Sequence, residues 1–399
     1  MDLFLLYQYV ITAVLVFVLL NFLVNNIFFK DISRFKLPRN VLEKNPLISI
    51  LIPARNEENN IRRCITSLMK QDYRNIEILV LDDNSTDNTA QIVEELSEKD
   101  SRVILFHGKP LKKGWMGKTY ACHQLAEYSR GEYLIFTDAD TLHFPNSVSS
   151  AVACLLKNKL DALSVLSKQI MVTIHERMVV PFGQYMILCF MPVYLINRTR
   201  SALFCTAIGQ FMLFKKGVYK KIGGHESVKG EVLDDIRISK KVKRYGYKFM
   251  IFDGRNNLYS RNYRNFKEVA RGHSKTLFAV FDYKIFIISI GIMLISALFL
   301  APFFMLLPAI FFRWPMVITE LITLQITIIL ITKIILSIRF RCKAVDILLH
   351  PVAMIYLILI ALKSIYDTSR GIRVNWKGRI YGSEENNLVL VNDNYKSKL

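Results

Sequence analysis

Residues 3–24 hold no charged side chain and are almost wholly apolar. That is about the 20 residues a helix needs to cross the hydrocarbon of a bilayer. Three further apolar runs crowd the other end, at 285–312, 317–338 and 345–362, the first interrupted by Pro302 and Pro308. A secretory signal peptide competes for the first run. However, the basic residues Lys30, Arg34, Lys36 and Arg39 follow it rather than precede it, and no small-residue cleavage site is present. The reading is a retained anchor over 1–28, with the next domain on the cytoplasmic side of a cell membrane crossed several times. At the other end, 284–366 is expected to be a membrane domain of two to four apolar segments, followed by a basic tail at 367–399. Three full crossings there would separate the cluster Arg339, Arg341 and Lys343 from the cluster Arg370, Arg373, Lys377 and Arg379, against the positive-inside rule. The breaks at Pro302, Pro308 and His350-Pro351 mark the segments that could be hairpins or interfacial helices.

Lys+Arg 53 against Asp+Glu 33 leaves a net charge of +20. With apolar spans present, that excess fits an anionic membrane surface, and no nucleic-acid motif accompanies it, so no nucleic-acid partner is expected. A hydrophobic share of 52% excludes a disordered chain. The six cysteines in 399 residues show no CxxC and no metal-ligand spacing. They read as small buried residues in a reducing compartment.

Between the apolar ends, residues 45–276 have the pattern of a globular domain. Leu47 to Pro53 and Ile76 to Leu81 are short continuous apolar runs, hence buried strands; Arg102–Phe106 and Tyr133–Thr137 are two more. Helical spacing occupies Asn59–Lys70, Thr86–Leu96 and Lys118–Tyr128. Such alternation predicts an α/β fold, a mostly parallel sheet with helices on both faces. Ligands in such sheets sit at the carboxyl ends of the strands.

Polar motifs stand at those ends. Pro53-Ala54-Arg55-Asn56-Glu57-Glu58 follows the first strand and suits a base and ribose, although a turn opening a helix, capped by Asn56 or Asn59, reads as well. Asp82-Asp83-Asn84-Ser85-Thr86-Asp87 follows the second; capping accounts for one of its acids, not three. Asp138-Ala139-Asp140 follows the Tyr133–Thr137 strand. In an extended chain these two carboxylates point the same way, and a hard Mg²⁺ or Mn²⁺ ion bridging pyrophosphate oxygens would relieve their repulsion. The loop Lys112-Lys113-Gly114-Trp115-Met116-Gly117-Lys118 could meet phosphate through backbone N–H groups and Lys118, or be a solvated loop. Asp234-Asp235 opens a helix closed by Gly246; such acids serve a helix dipole as readily as general-base chemistry. His225 and His273 are candidate cleft histidines. Arg177, Arg198, Arg200 and the apolar Phe182–Phe190 run form either a bilayer-facing edge or a core helix.

Taken in order, Ser49 to Glu58, the Asp82–Asp87 segment, Asp138-Ala139-Asp140 and Asp234-Asp235 resemble the family 2 glycosyltransferases, membrane enzymes with a GT-A nucleotide-diphospho-sugar domain. Gly114 to Cys122, Ile208 to Leu213, Gly223-Gly224 and Trp376-Lys377-Gly378-Arg379 are similar to a subgroup met with carotenoid and hopanoid pathways, such as the diaponeurosporenoate and hydroxychlorobactene glycosyltransferases. The Gln-x-x-Arg-Trp motif of processive members is missing; Tyr259 to Phe266 stands in its place. The resemblance implies that Pro53, Ala54, Arg55, Glu57 and Asp83 line a nucleoside pocket and that Lys118 contacts nucleoside or phosphates. It gives Asp138 and Asp140 the metal and diphosphate, and makes Asp235 the base beside Asp234, which stands where the family has Glu. It further implies a hexose passed with inversion from a UDP-sugar to a hydroxyl or carboxyl of a membrane lipid. A polyprenyl-phosphate or polysaccharide product, and a non-catalytic sugar-nucleotide scaffold, are the rival expectations.

Overall fold

The computed structural model describes residues 2–280, 284–369, 375–376 and 379–380. The expected basic tail at 367–399, with Lys377 and Gly378 of its Trp376–Arg379 motif, therefore falls largely outside the described residues. The chain divides into two compact units: one gathers 1–28, 171–194 and 263–372, the other 29–170, 195–262 and 373–399.

The second unit is built on a sheet. Its strands are β1 (Ile48–Ala54), β2 (Ile76–Asp82), β3 (Val103–His107), β4 (Tyr133–Thr137), β5 (Thr141–His143), β6 (Ala162–Leu166), β7 (Lys168–Gln169), β8 (Phe211–Lys215), β9 (Phe249–Asp253) and β10 (Leu258–Ser260). Seven of them lie side by side in the order β3-β2-β1-β4-β8-β6-β9. All pairings are parallel except those of β8, which runs against both β4 and β6. Every residue of β1 and β2 is buried. Both faces of these strands are therefore covered, which is why they read as unbroken apolar runs rather than alternating ones. A small sheet, β5-β10-β7, stands apart. The stretch after the first apolar helix belongs here too: Asp253 donates its N–H to Lys30 O at 2.9 Å, and Phe35 packs edge-on against Phe252.

The first unit is helical. Among the described residues, four helices in it are long and apolar enough to cross a membrane: Leu3–Phe28, Ile285–Phe311, Met316–Phe340 and His350–Asp367. Pro302 does not divide the second of these. It has no N–H to give Leu298, and the helix passes through a π turn at Ser296–Leu300 instead. Gln325 Nε2 donates to Gln8 Oε1 (3.0 Å) and Thr12 Oγ1 (2.9 Å), a polar clasp between two largely apolar helices.

Residues 171–194 lie inside the span expected to be one globular domain, yet they pack in this helical unit. The cause is local. The Pro181–Phe190 helix turns Phe182, Tyr185, Leu188 and Cys189 inward, and its last carbonyls are met by side chains of the first helix. Asn25 Nδ2 donates to Leu188 O (2.8 Å) and Met191 O (2.6 Å), and Asn21 Nδ2 to Cys189 O (2.7 Å). Arg177 pairs with Asp346 in the same unit. Of the two readings of this run, the core-helix one describes it. Arg198 and Arg200 belong to the sheet unit, and His273 sits in the helical unit, in the Phe266–Val280 helix.

Candidate active site

The carboxyl ends of β1 and β2 carry two loops stitched together by their own side chains. Asn56 and Asn84 take left-handed backbone (φ +51° and +54°), a conformation asparagine tolerates well. Asn56 N–H donates to Ser85 Oγ (2.9 Å), and Asn56 Oδ1 accepts from Thr86 N–H (2.8 Å). Asp82 Oδ2 accepts from Ser85 N–H (3.1 Å), while Asp87 accepts from Thr89 N–H (3.0 Å) and Glu58 N–H (3.1 Å). Asp87 accordingly stays below the usual carboxylate range, because these hydrogen bonds outweigh its burial. Two of the three acids in this segment are thus occupied by the loop itself. Asp83 is the third, buried at the strand end with its N–H on Ala54 O (2.8 Å). The Arg55 guanidinium donates to the carbonyls of Asp83 and Asn84, and Glu57 accepts from Asn60 Nδ2 at 2.8 Å.

A second group forms a small cavity at the end of β4. Pro53, Lys118, Asp138, Asp234 and Asp235 line it, together with Gly209 and His225. Ala54, Arg55, Glu57, Asp83 and Asp140 are not part of its lining. Lys118 stands in the first turn of the Gly117–Tyr128 helix and reaches Asp138 Oδ1 at 2.5 Å. Burial alone would lower the Lys118 pKa, but Asp138 and Asp234 raise it well above that of an ordinary lysine, so it is fully charged. Asp235 is in the first turn of the Asp234–Arg244 helix, and its two oxygens accept from the N–H groups of Ile236 (2.7 Å) and Gly209 (2.8 Å). Burial and the neighbouring Asp234 carry its pKa up to about 7, against the opposing pull of Lys118. Asp234 is raised as well, by burial first and by Asp138. A carboxyl poised near neutrality beside a fixed cation suits proton transfer. A methyl group on Gly209 would meet Asp235 Oδ2 at 3.4 Å and Lys118 Nζ at 3.5 Å, ordinary contact distances, so the part Gly209 plays here is the N–H it donates to Asp235.

His225 closes the inner wall. The Tyr219 hydroxyl accepts from His225 N–H (3.0 Å) and lies 2.7 Å from Nδ1. With the phenol donating to Nδ1, the ring proton sits on Nε2, which faces Asp234 Oδ2 at 3.7 Å. Burial pushes the imidazole down to about 3, so it is neutral. Gly224 makes this contact possible. Its φ is +47°, and a Cβ there would stand 2.6 Å from the Tyr219 ring. Gly224→Ala is expected to destabilise the sheet unit by about 1–3 kcal/mol, read as a lower thermal midpoint in the purified protein.

Asp138 and Asp140 leave β4 two residues apart and offer only oxygen. Among the described residues, no group of three or more acidic, histidine or cysteine side chains is placed to hold a metal. Asp138 lines the cavity, whereas Asp140 follows it in a turn, with Thr141 N–H on Asp138 O (3.1 Å), and is not part of the lining, so the extended geometry expected to aim both carboxylates the same way is not found; each still offers the oxygen that a hard divalent ion prefers.

Sequence reasoning missed Gly209 and Tyr219. The first lies 26 residues from the carboxylate it touches, and nothing local to it signals the contact. The adjacent Gly223-Gly224 was the available sign that a bulky ring lies close by.

Residues 49–223 match the model of the glycosyl transferase family 2. A 4,4'-diaponeurosporenoate glycosyltransferase of Staphylococcus haemolyticus is 26% identical over 59% of this chain and 62% of its own. A UDP-Glc:α-D-GlcNAc-diphosphoundecaprenol β-1,3-glucosyltransferase of Escherichia coli is 36% identical over 29% of this chain and 43% of its own. The chain thus spans less than two thirds of the length of these curated relatives. A mannosyltransferase from Pyrobaculum calidifontis, solved with GDP-mannose and Mn²⁺, shares the fold with a TM-score of 0.50 over 90% of this chain and 99% of that one, at 15% identity. The chain therefore carries a family 2 glycosyltransferase domain, a GT-A-type, mostly parallel sheet with apolar helices ahead of it and behind it.

Proposed function

We propose that this protein is an inverting glycosyltransferase of the cell membrane, passing a hexose from a nucleotide-diphospho-sugar to a hydroxyl or carboxyl of a membrane lipid. The observation that carries the reading is the cavity in which Asp235, with a pKa near 7, stands beside the Lys118–Asp138 pair. Pro53, Ala54, Arg55, Glu57 and Asp83, at the ends of β1 and β2, would bind the nucleoside. A UDP-sugar is the preferred donor. The four long apolar helices would anchor the protein, with the sheet unit on the cytoplasmic face, where the acceptor search is confined to a surface.

Chemistry follows from the charges. Asp235, ionised, accepts the proton of the acceptor hydroxyl as its oxygen attacks the anomeric carbon from the face opposite the departing diphosphate. Lys118 offsets the negative charge that develops on the leaving oxygens. The backbone N–H groups of Gly209 and Ile236 hold the Asp235 carboxylate in one orientation, and Asp234, backed by His225, keeps its proton affinity high. Asp138 and Asp140 would hold Mg²⁺ or Mn²⁺, which when bound supplies further positive charge to the diphosphate. The Pyrobaculum calidifontis protein, solved with Mn²⁺, supports a divalent ion.

The test is transfer of label from UDP-hexoses to total lipid extract by purified protein in membranes, with product mass and anomeric configuration determined. One sugar on one lipid, inverted, is the expected product. The name of the E. coli relative favours a second reading, a lipid-diphosphate acceptor; the product mass separates the two. The pH profile is a further prediction. Because Asp235 must be ionised, kcat/KM is expected to rise through a midpoint at about 7 and level off above it, falling about tenfold per pH unit on the acid side.

A further inference from the structure

The helical unit hides a knot of polar side chains in its interior. Lys333, on the Met316–Phe340 helix, is only 8% exposed, and its ammonium stands 4.5 Å above the centre of the Tyr185 ring. That ring packs edge-on against Phe299 at 5.5 Å and lies 6.2 Å from the ring of His350. Tyr185 and His350 are fully buried, and Gln184 is 3% exposed. Both polar atoms of the Gln184 amide have no hydrogen-bond partner among the described residues, the Tyr185 hydroxyl has only Thr332 and Cys189 beside it, and His350 only a backbone group of Phe299. The buried carboxylates of this unit are committed elsewhere. Asp346 accepts from Arg177 Nε at 2.8 Å, and Glu176 accepts from the N–H groups of Val172 and Thr173 at the start of its own helix.

Stability does not explain this arrangement. Each buried polar atom left without a partner costs about 1–3 kcal/mol, and leucine, phenylalanine or methionine would fill the same volume without that cost. A buried ammonium among apolar helices is dearer still, and such residues mark functional sites in membrane proteins. What the four side chains share is donors: an ammonium, a phenol, an imidazole and a carboxamide. An oxyanion would accept from the donors among them.

An apolar groove leads to the same place. Phe182, Ile288, Ile292, Ile295, Leu357 and Ala361 line it. Phe182 lies three residues before Tyr185, Ile295 four before Phe299, and Leu357 seven after His350. Those separations keep each pair on one helix face, so groove and knot are successive stretches of the same surface. Phe299 sits in the π turn at Ser296–Leu300, a local widening that often accompanies binding sites.

We propose that this is an internal binding site for a lipid with an oxyanion head, carboxylate or phosphate. The head lies against Lys333, Tyr185, Gln184 and His350, and the chain occupies the groove. The proposal rests on reading these helices as membrane-embedded and does not depend on the transfer reaction.

The experiment uses the full-length protein in nanodiscs of phosphatidylcholine. Palmitate, hexadecyl phosphate and hexadecanol are the probes, and binding is counted by native mass spectrometry and titration. One anionic probe is expected to bind saturably, one per chain, at least tenfold more tightly than hexadecanol; whether palmitate or hexadecyl phosphate wins names the head group. Lys333→Met should weaken that binding at least tenfold and leave hexadecanol unchanged. Lys333→Arg should restore most of it, and Gln184→Leu should weaken it about threefold. Retained UDP binding shows that the variants are folded. Equal binding of anionic and neutral probes, or an unchanged affinity in Lys333→Met, overturns the proposal. Where Lys333→Met loses the anionic lipid, an accompanying rise in acceptor KM identifies that lipid as the acceptor, and an unchanged KM identifies a resident lipid. Specific binding without any transfer to lipid extracts would refute the transferase reading and leave this site standing.

Discussion

Asp235→Asn is expected to lower glycosyl transfer by about 10²–10⁴-fold while donor binding stays within about threefold of the parent protein. The asymmetry follows from position. In the proposed reaction Asp235 would accept the proton, whereas the nucleoside would be gripped at the ends of β1 and β2. Asparagine keeps the size of the side chain and one of its two acceptors, for the Gly209 or the Ile236 N–H. Single-turnover rates with labelled donor, paired with calorimetry on UDP, separate the two effects. The acid limb of the pH profile should vanish from whatever activity remains. A variant that keeps full transfer would show that the base lies elsewhere.

Lys118→Met is expected to lower the rate by about 10²–10³-fold, the usual effect of losing one fixed charge at a leaving group. A second readout distinguishes this role from a structural one. Lys118 pulls the Asp235 pKa downward. Its removal should therefore move the midpoint of the remaining activity to higher pH, and Lys118→Arg should bring it back. Loss of packing alone would lower the melting temperature and leave the midpoint near 7.

The strands that build the site were legible because they are buried on both faces. Tyr133–Thr137 is the same in sequence and structure, and Ile76–Asp82 differs by one residue. The reversed course of β8 was not legible: an apolar run carries no sign of its direction, and only the partners on either side define it. Among the acids, Asp138, Asp234 and Asp235 line one cavity, whereas Asp83 and Asp140, expected to share it, do not. The Asp82–Asp87 segment divides differently. Its charge density pointed to a ligand, but Asp82 and Asp87 hold backbone N–H groups of their own loops. Composition cannot separate such duties, because a carboxylate that caps a turn and one that meets a ribose are the same group in different company. The apolar run at 182–190 was ambiguous for a related reason. Its fate rests on Asn21 and Asn25, more than 150 residues earlier, which accept it into a bundle through hydrogen bonds no local pattern records.

That long-distance embrace bears on how the molecule can be dissected. The chain leaves the sheet after residue 170 to supply a helix to the other unit, returns at 195 to complete β8 and β9, and departs again at 263. No single cut therefore yields a self-sufficient soluble fragment. A trimmed version beginning after residue 28 would carry an orphaned greasy segment through the middle of the sheet-forming sequence, and replacing 171–194 with a short polar bridge should be the prerequisite for working outside detergent.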